Sequence, residues 1–129
     1  MLSQKILFVD DDPDWRFFVK DWLEDAGFAV TTATDATQAL VETGGFPHDL
    51  VILDLNLGGE NGFVLMNFLK LNYPQVPFLL YTGMPPAEVA ARAIPCEDHQ
   101  SYLRKGKMED LLVGVQGALS REQRAVSFA

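Results

Sequence analysis

Apolar residues along this chain fall into two arrangements. Short, nearly unbroken runs occur at ILFV (residues 6–9), DLVILD (49–54) and PFLLYT (77–82). A strand with one wet face alternates apolar and polar positions, whereas an unbroken run marks a strand covered on both faces, as in a parallel sheet between helices. The β-branched FAVTTA (28–33) predicts a second strand in chain order, and the short SYLRK (101–105) a fifth. Between these runs the spacing becomes helical. Trp15, Phe18, Val19, Trp22, Leu23 and Ala26 recur along one face, which predicts a first helix with an aromatic, core-facing stripe. Asp12 suits the N-cap, Pro13 the first turn and Gly27 the C-terminal stop. Ala36, Ala39, Leu40 and Thr43 predict a second helix ending at Gly44-Gly45. Val64, Leu65, Phe68, Leu69 and Leu71 predict a third, ending before Pro74. Val89, Ala90, Ala93 and Ile94 predict a weak fourth ended by Pro95. Met108, Leu111, Leu112, Val115, Ala118 and Leu119 predict a fifth.

The order is strand then helix, five times, with short connections. Crossovers between parallel strands are right-handed, so the expected solution is a doubly wound α/β sandwich of three layers. A length of 129 residues suits one core. The expected organisation is a single domain over residues 1–120 and a C-terminal extension over 121–129 that continues the last helix, frays or begins a linker. The formal charge of −8 disfavours direct nucleic-acid binding or an anionic membrane surface and suits a cation or a basic protein. Cys96 is the sole cysteine, so no internal disulfide is possible, and no run approaches a membrane span. A cytoplasmic location without membrane insertion is expected. His48 and His99 lack metal-ligand spacing.

Open parallel sheets bind ligands at the carboxyl ends of their strands. Here those ends carry Asp10-Asp11-Asp12, Asp54, Thr82 and Lys105. Asp12 is accounted for by capping, while adjacent Asp10 and Asp11 repel unless something positive offsets them. Asp54, Thr82 and Lys105, each taken singly, are more often strand-end or surface groups. Their joint placement on one rim describes a phosphoryl-transfer site, in which carboxylates share a hard cation, one acts as nucleophile, and an ammonium and a hydroxyl meet the transferring oxygens.

The segments ILFVDDDP, DLVILDLNLGGENGF, LLYTG and SYLRKG, in that order, resemble the response-regulator receiver domain of two-component and phosphorelay signalling, over residues 5–119. The resemblance implies a flavodoxin-like (βα)5 fold with strand order 2-1-3-4-5. It implies that Asp54 is the phosphoacceptor and that Mg²⁺ (or Mn²⁺) is held by Asp11 directly, by Asp10 through water, by Asp54 and by the backbone carbonyl of Asn56. Thr82 and Lys105 then stabilise the phosphoryl group, and Thr82 with Tyr102 forms the switch. The implied partners are a histidine kinase or histidine phosphotransfer protein and a downstream target or output domain, the latter not fitting within this length. The implied signal is a shift of the surface around the fourth helix, fifth strand and fifth helix. Such a chain promotes its own phosphorylation and dephosphorylation and is not expected to be a turnover enzyme. Gly62 matches the glycine where the loop enters the third helix.

Some positions depart from the family pattern. Gly58 and Gly106 stand where proline is common, Gly83 where alanine is, and IPCEDHQSY lacks the usual Gly-Ala pair. Family members usually have a cis peptide after the lysine; a non-proline cis bond costs about 3 kcal/mol, which counts against it at Lys105-Gly106. Met84 is expected to flank the path of a hydrolytic water without hydrogen-bonding it. Two rivals stay open: a haloacid-dehalogenase-type phosphohydrolase using Asp10 and Asp12, and an unphosphorylated scaffold. The first leaves Asp54 unexplained and puts Asp14 where that motif wants Thr or Val. The second needs none of the five polar rim residues.

Overall fold

The computed structural model describes residues 4–35, 38, 41, 48–57, 60–74, 76–92 and 100–128. The main sheet has strands β1 (Lys5–Val9), β2 (Ala29–Ala33), β3 (Leu50–Leu53), β6 (Phe78–Thr82) and β7 (Gln100–Arg104), all parallel, in the order β2-β1-β3-β6-β7. Counting only these five, the order is the expected 2-1-3-4-5. Each strand lies within a residue or two of its predicted run. The register pairs Ile6 with Val30 and Leu50, and Leu80 with Tyr102. Asn56–Leu57 (β4) and Glu60–Asn61 (β5), two residues each, pair antiparallel in a second, two-stranded sheet ahead of Gly62.

Strand side chains alternate between faces, so each buried run feeds two cores. Leu7, Val9, Val51, Leu53, Phe78 and Leu80 point to one layer, with Phe63, Leu65, Met66 and Leu69 of helix α2 (Gly62–Asn72) and Val89 of α3 (Pro86–Arg92). Ile6, Phe8, Leu50, Ile52, Leu79 and Tyr81 point to the other. There they meet Val19 and Leu23 of α1 (Pro13–Asp25) and Leu111, Val115, Ala118 and Leu119 of α4 (Met108–Phe128). This double coverage is why the three inner strands, β1, β3 and β6, carry almost no polar positions, whereas the edge strands β2 and β7 do. α4 has 21 residues, about 31 Å of helix. Among the described residues no helix is long and apolar enough to cross a membrane.

The caps of α1 form as read. Asp12 accepts a hydrogen bond from the Asp14 amide at 2.9 Å, Pro13 opens the helix, and Gly27 follows at φ 103°. The aromatic stripe of α1 needs correction. Val19 and Leu23 are buried, but Phe18 and Trp22 are exposed, as is neighbouring Phe17. The helix meets the sheet along one i, i+4 ridge, and the aromatic positions flanking that ridge overhang its edge. α2 is corrected in the same sense: Leu65 and Leu69 are buried, while Val64, Phe68 and Leu71 face outward. This helix is apolar nearly all round, so composition could not choose its inner face. The stripe predicted at Ala36, Ala39, Leu40 and Thr43 lies outside the described residues, as do Gly58, Ala93, Ile94, Cys96 and His99.

Candidate functional site

The carboxyl ends of four strands converge on one rim. Backbone hydrogen bonds fix each functional residue against its neighbouring strand: the Asp10 amide donates to the Ala33 carbonyl, the Asp54 amide to Val9, and the Lys105 amide to Thr82, at 3.1, 3.0 and 2.9 Å. Side-chain direction is therefore inherited from the sheet, a rigid support. Carboxylate oxygens of Asp10, Asp11 and Asp54 lie within 4.8 Å of one another. Asp10 and Thr82 are fully buried, Asp54 nearly so, and Asp11 is exposed.

Lys105 bridges the set. Its Nζ lies 2.5 Å from Asp10 Oδ2 and 3.0 Å from Asp54 Oδ2. The other Asp10 oxygen accepts from the Asp12 amide at 2.9 Å. Burial raises the pKa of Asp10 above the ordinary carboxylate value; hydrogen bonds from Lys105 and the Asp12 amide offset part of this, and the Asp54 charge adds to it. Burial alone would lower Lys105, but its bond to Asp10 and the charges of Asp54 and Asp10 outweigh that and hold the ammonium above its usual value. Three carboxylates meet one ammonium at this rim, an acidic cluster of the kind that suits a cation. The donor set, all oxygen with one member open to solvent, suits a hard ion that keeps several waters.

Other contacts join the site to its surroundings. Arg16 donates from Nη1 to the Asp10 carbonyl at 2.9 Å. The Met84 amide donates to Thr82 Oγ1 at 3.2 Å, and the Met84 carbonyl accepts from the Tyr102 hydroxyl at 2.6 Å. One residue's backbone thus links Thr82 to Tyr102 on β7. Neither Arg16 nor this link was visible in the sequence: Arg16 reads as a surface charge, and Met84 joins the two through main-chain atoms that any residue carries. The Lys105-Gly106 peptide is trans, like every described peptide bond. Asn56 lies in β4 opposite Asn61. At Gly62 an added Cβ would stand 2.7 Å from the Cα and carbonyl oxygen of Leu55, so the close approach of the α2 start to the residue after Asp54 requires glycine.

A doubly wound parallel sheet with an acidic cluster, a hydroxyl and a lysine on its carboxyl-end rim defines a flavodoxin-like class of domain. The sequence matches the response regulator receiver domain family over residues 6–116, and the chain belongs to that family, a domain type of two-component signalling. It is similar to the nitrogen assimilation regulatory protein NtrX of Azorhizobium caulinodans, 37% identical over 95 residues covering 72% of this chain and 21% of that protein. It is also similar to the C4-dicarboxylate transport transcriptional regulatory protein DctD of Rhizobium meliloti, 33% identical over 122 residues covering 95% and 26%. Among solved structures, NtrX from Brucella abortus superposes with TM-score 0.82 and 29% identity, covering 98% of this chain and 29% of that one. A signal receiver domain of an HD domain-containing protein from Pseudomonas fluorescens Pf-5 gives TM-score 0.85 and 28% identity, covering 95% and 99%. The chain spans about a fifth to a quarter of the length of these two curated relatives.

Proposed function

We propose that this domain is a Mg²⁺-dependent phosphoacceptor that takes a phosphoryl group from a phosphohistidine onto Asp54. The supporting observation is the convergence of Asp10, Asp11, Asp54 and Lys105, three carboxylates around one ammonium, at the carboxyl ends of the strands. An Asp54 carboxylate oxygen attacks phosphorus, the P–N bond to the donor imidazole breaks, and its electron pair stays on the histidine nitrogen. The product is an acyl phosphate on Asp54 and a free imidazole. Asp11 directly, Asp10 through water, Asp54 and the Asn56 carbonyl would hold Mg²⁺ (or Mn²⁺), which supplies charge neutralisation to the transferring oxygens. Lys105 meets one phosphoryl oxygen with its ammonium, and Thr82 another with its hydroxyl.

Phosphorylation adds nearly two negative charges beside a rim that is already acidic. Thr82 turning toward the phosphoryl group breaks its bond with the Met84 amide, and the Met84 carbonyl is the hydrogen-bond partner of Tyr102. That link carries the change to the face formed by α3, β7 and α4, where a target or output domain reads it. The donor is a histidine kinase or histidine phosphotransfer protein, and a cytoplasmic setting suits this partner and the single cysteine.

The hydrolase reading fits less well, because Asp12 is committed to capping α1 and both Asp10 oxygens are engaged. Incubation with acetyl phosphate and Mg²⁺, followed by intact mass, tests the assignment. Wild type is expected to gain one phosphoryl mass and Asp54→Ala none. Gain in both proteins, or label on Asp10, overturns it.

A further inference from the structure

The lysine at the rim is held by more than its two carboxylates. Gly106, which follows it, is exposed, and a Cβ built there meets nothing within 4 Å, so neither ring constraint nor packing at that residue aims the Lys105 stem. A lysine stem has four rotatable carbons, and its head is a point charge without directional preference. In this structure Nζ lies over the Trp15 ring, 4.8 Å from the centroid, within the range in which an aromatic face attracts a cation. Trp15 is in turn fixed edge-on against the buried Tyr81 ring, with centroids 5.6 Å apart and an interplanar angle of 82°. The Tyr81 hydroxyl accepts from the Gly106 amide at 3.4 Å, which closes a loop of contacts around the Lys105-Gly106 peptide.

Packing alone explains part of this, since Trp15 borders the core below α1. Yet Trp15 is only half-buried. It also lines a cleft of about 310 Å³ with Asp12, Asp14, Phe18, Gly106 and Met108, so it is not enclosed as a core residue would be.

We infer that Trp15 is a positioning residue for Lys105: its indole face holds the ammonium on the Asp10–Asp54 side of the rim, ready for the phosphoryl oxygen. This rests on the phosphoacceptor reading, and its test separates the two. Trp15→Leu keeps an apolar side chain and removes the aromatic face, whereas Trp15→Phe keeps a face. The maximal rate of phosphorylation by acetyl phosphate with Mg²⁺ is expected to fall about five-fold in Trp15→Leu and to stay within about two-fold of wild type in Trp15→Phe. Side-chain NMR is expected to find the Lys105 ε-methylene protons shifted upfield by the indole in wild type and returned toward ordinary lysine positions in Trp15→Leu.

A wild-type rate in Trp15→Leu overturns the inference. So does an equal loss in Trp15→Phe, which would mark a purely structural role, or an unshifted Lys105 methylene in wild type, a measurement that needs no variant to fold. If wild type takes no phosphoryl group on Asp54, the functional reading fails, and the Lys105 resonances alone then decide whether Trp15 holds the lysine.

Discussion

Replacing Gly62 by alanine adds a single methyl group where the structure has no room for one. The new Cβ would sit 2.7 Å from the Cα and carbonyl oxygen of Leu55 and 2.9 Å from its carbonyl carbon. These are backbone atoms, so no rotamer change relieves the overlap, and the 3.2 Å bond from the Gly62 amide to the Leu55 carbonyl must stretch. Alanine would return at most about 1 kcal/mol through helix propensity, and less at the first residue of α2. Overpacking of a tight site costs about 1–3 kcal/mol, so the clash wins. The expected net loss is about 2 kcal/mol, or roughly 6–8 °C in thermal midpoint for a chain of this size. Because Leu55 follows Asp54, the displacement also reaches the proposed phosphoacceptor, and phosphorylation is expected to slow beyond what the unfolded fraction explains. Gly83→Ala is the control: its Cβ meets nothing within 4 Å, and its midpoint should stay within about 2 °C of wild type. Thermal unfolding by circular dichroism reads both. An unchanged midpoint for Gly62→Ala, or equal losses for the two variants, would refute the close-approach reasoning.

On α1, Leu23→Ala is expected to cost about 2–5 kcal/mol and Phe17→Ala less than about 1 kcal/mol, because Leu23 is fully buried and Phe17 is 66% exposed; urea midpoints in the reverse order would contradict the assigned contact ridge. Burial raises Tyr81, with partial offset from the Gly106 amide, and the Asp10 and Asp54 partners raise Lys105 against the effect of its burial. Both groups keep their protons in the folded state after the unfolded chain has released them at 10.0 and 10.5, so stability is fully present below those values and is lost as pH rises through the raised folded values. The urea midpoint should therefore fall as pH rises beyond 10.5, with a shallower fall in Tyr81→Phe, and a midpoint that stays flat there would contradict the sign. If Met84 flanks the hydrolytic water without assisting it, Met84→Glu and Met84→Asn change the decay of phosphorylated protein, followed by intact mass; an unchanged decay rate in both removes that role.

The sequence was most informative where one residue type answers one physical need. Unbroken apolar runs require cover on both faces, so three of the parallel strands could be placed from composition alone, and Asp12-Pro13 with Gly27 delimited α1. The polar residues at the strand ends were legible for the same reason. Carboxylates, a hydroxyl and an ammonium placed after buried strands have no role in the core, and the sheet brings such ends together.

The side of a helix that meets the sheet was less legible. In α1 and α2 the apolar stripe is wider than the contact, and only packing against strand residues selected Val19, Leu23, Leu65 and Leu69 over Phe18, Trp22, Val64 and Phe68. The charge repulsion between Asp10 and Asp11 divides in the same way. The sequence determined that Asp10 and Asp11 needed a positive partner. Only the tertiary structure decided that Lys105, 95 residues from Asp10, already meets Asp10 and Asp54, with the Asp11 carboxylate beside them. It also decided that a tryptophan written into the chain as core lies against that lysine. Spacing along the chain specifies faces and ends, whereas distances across the sheet depend on register, crossover and depth of packing.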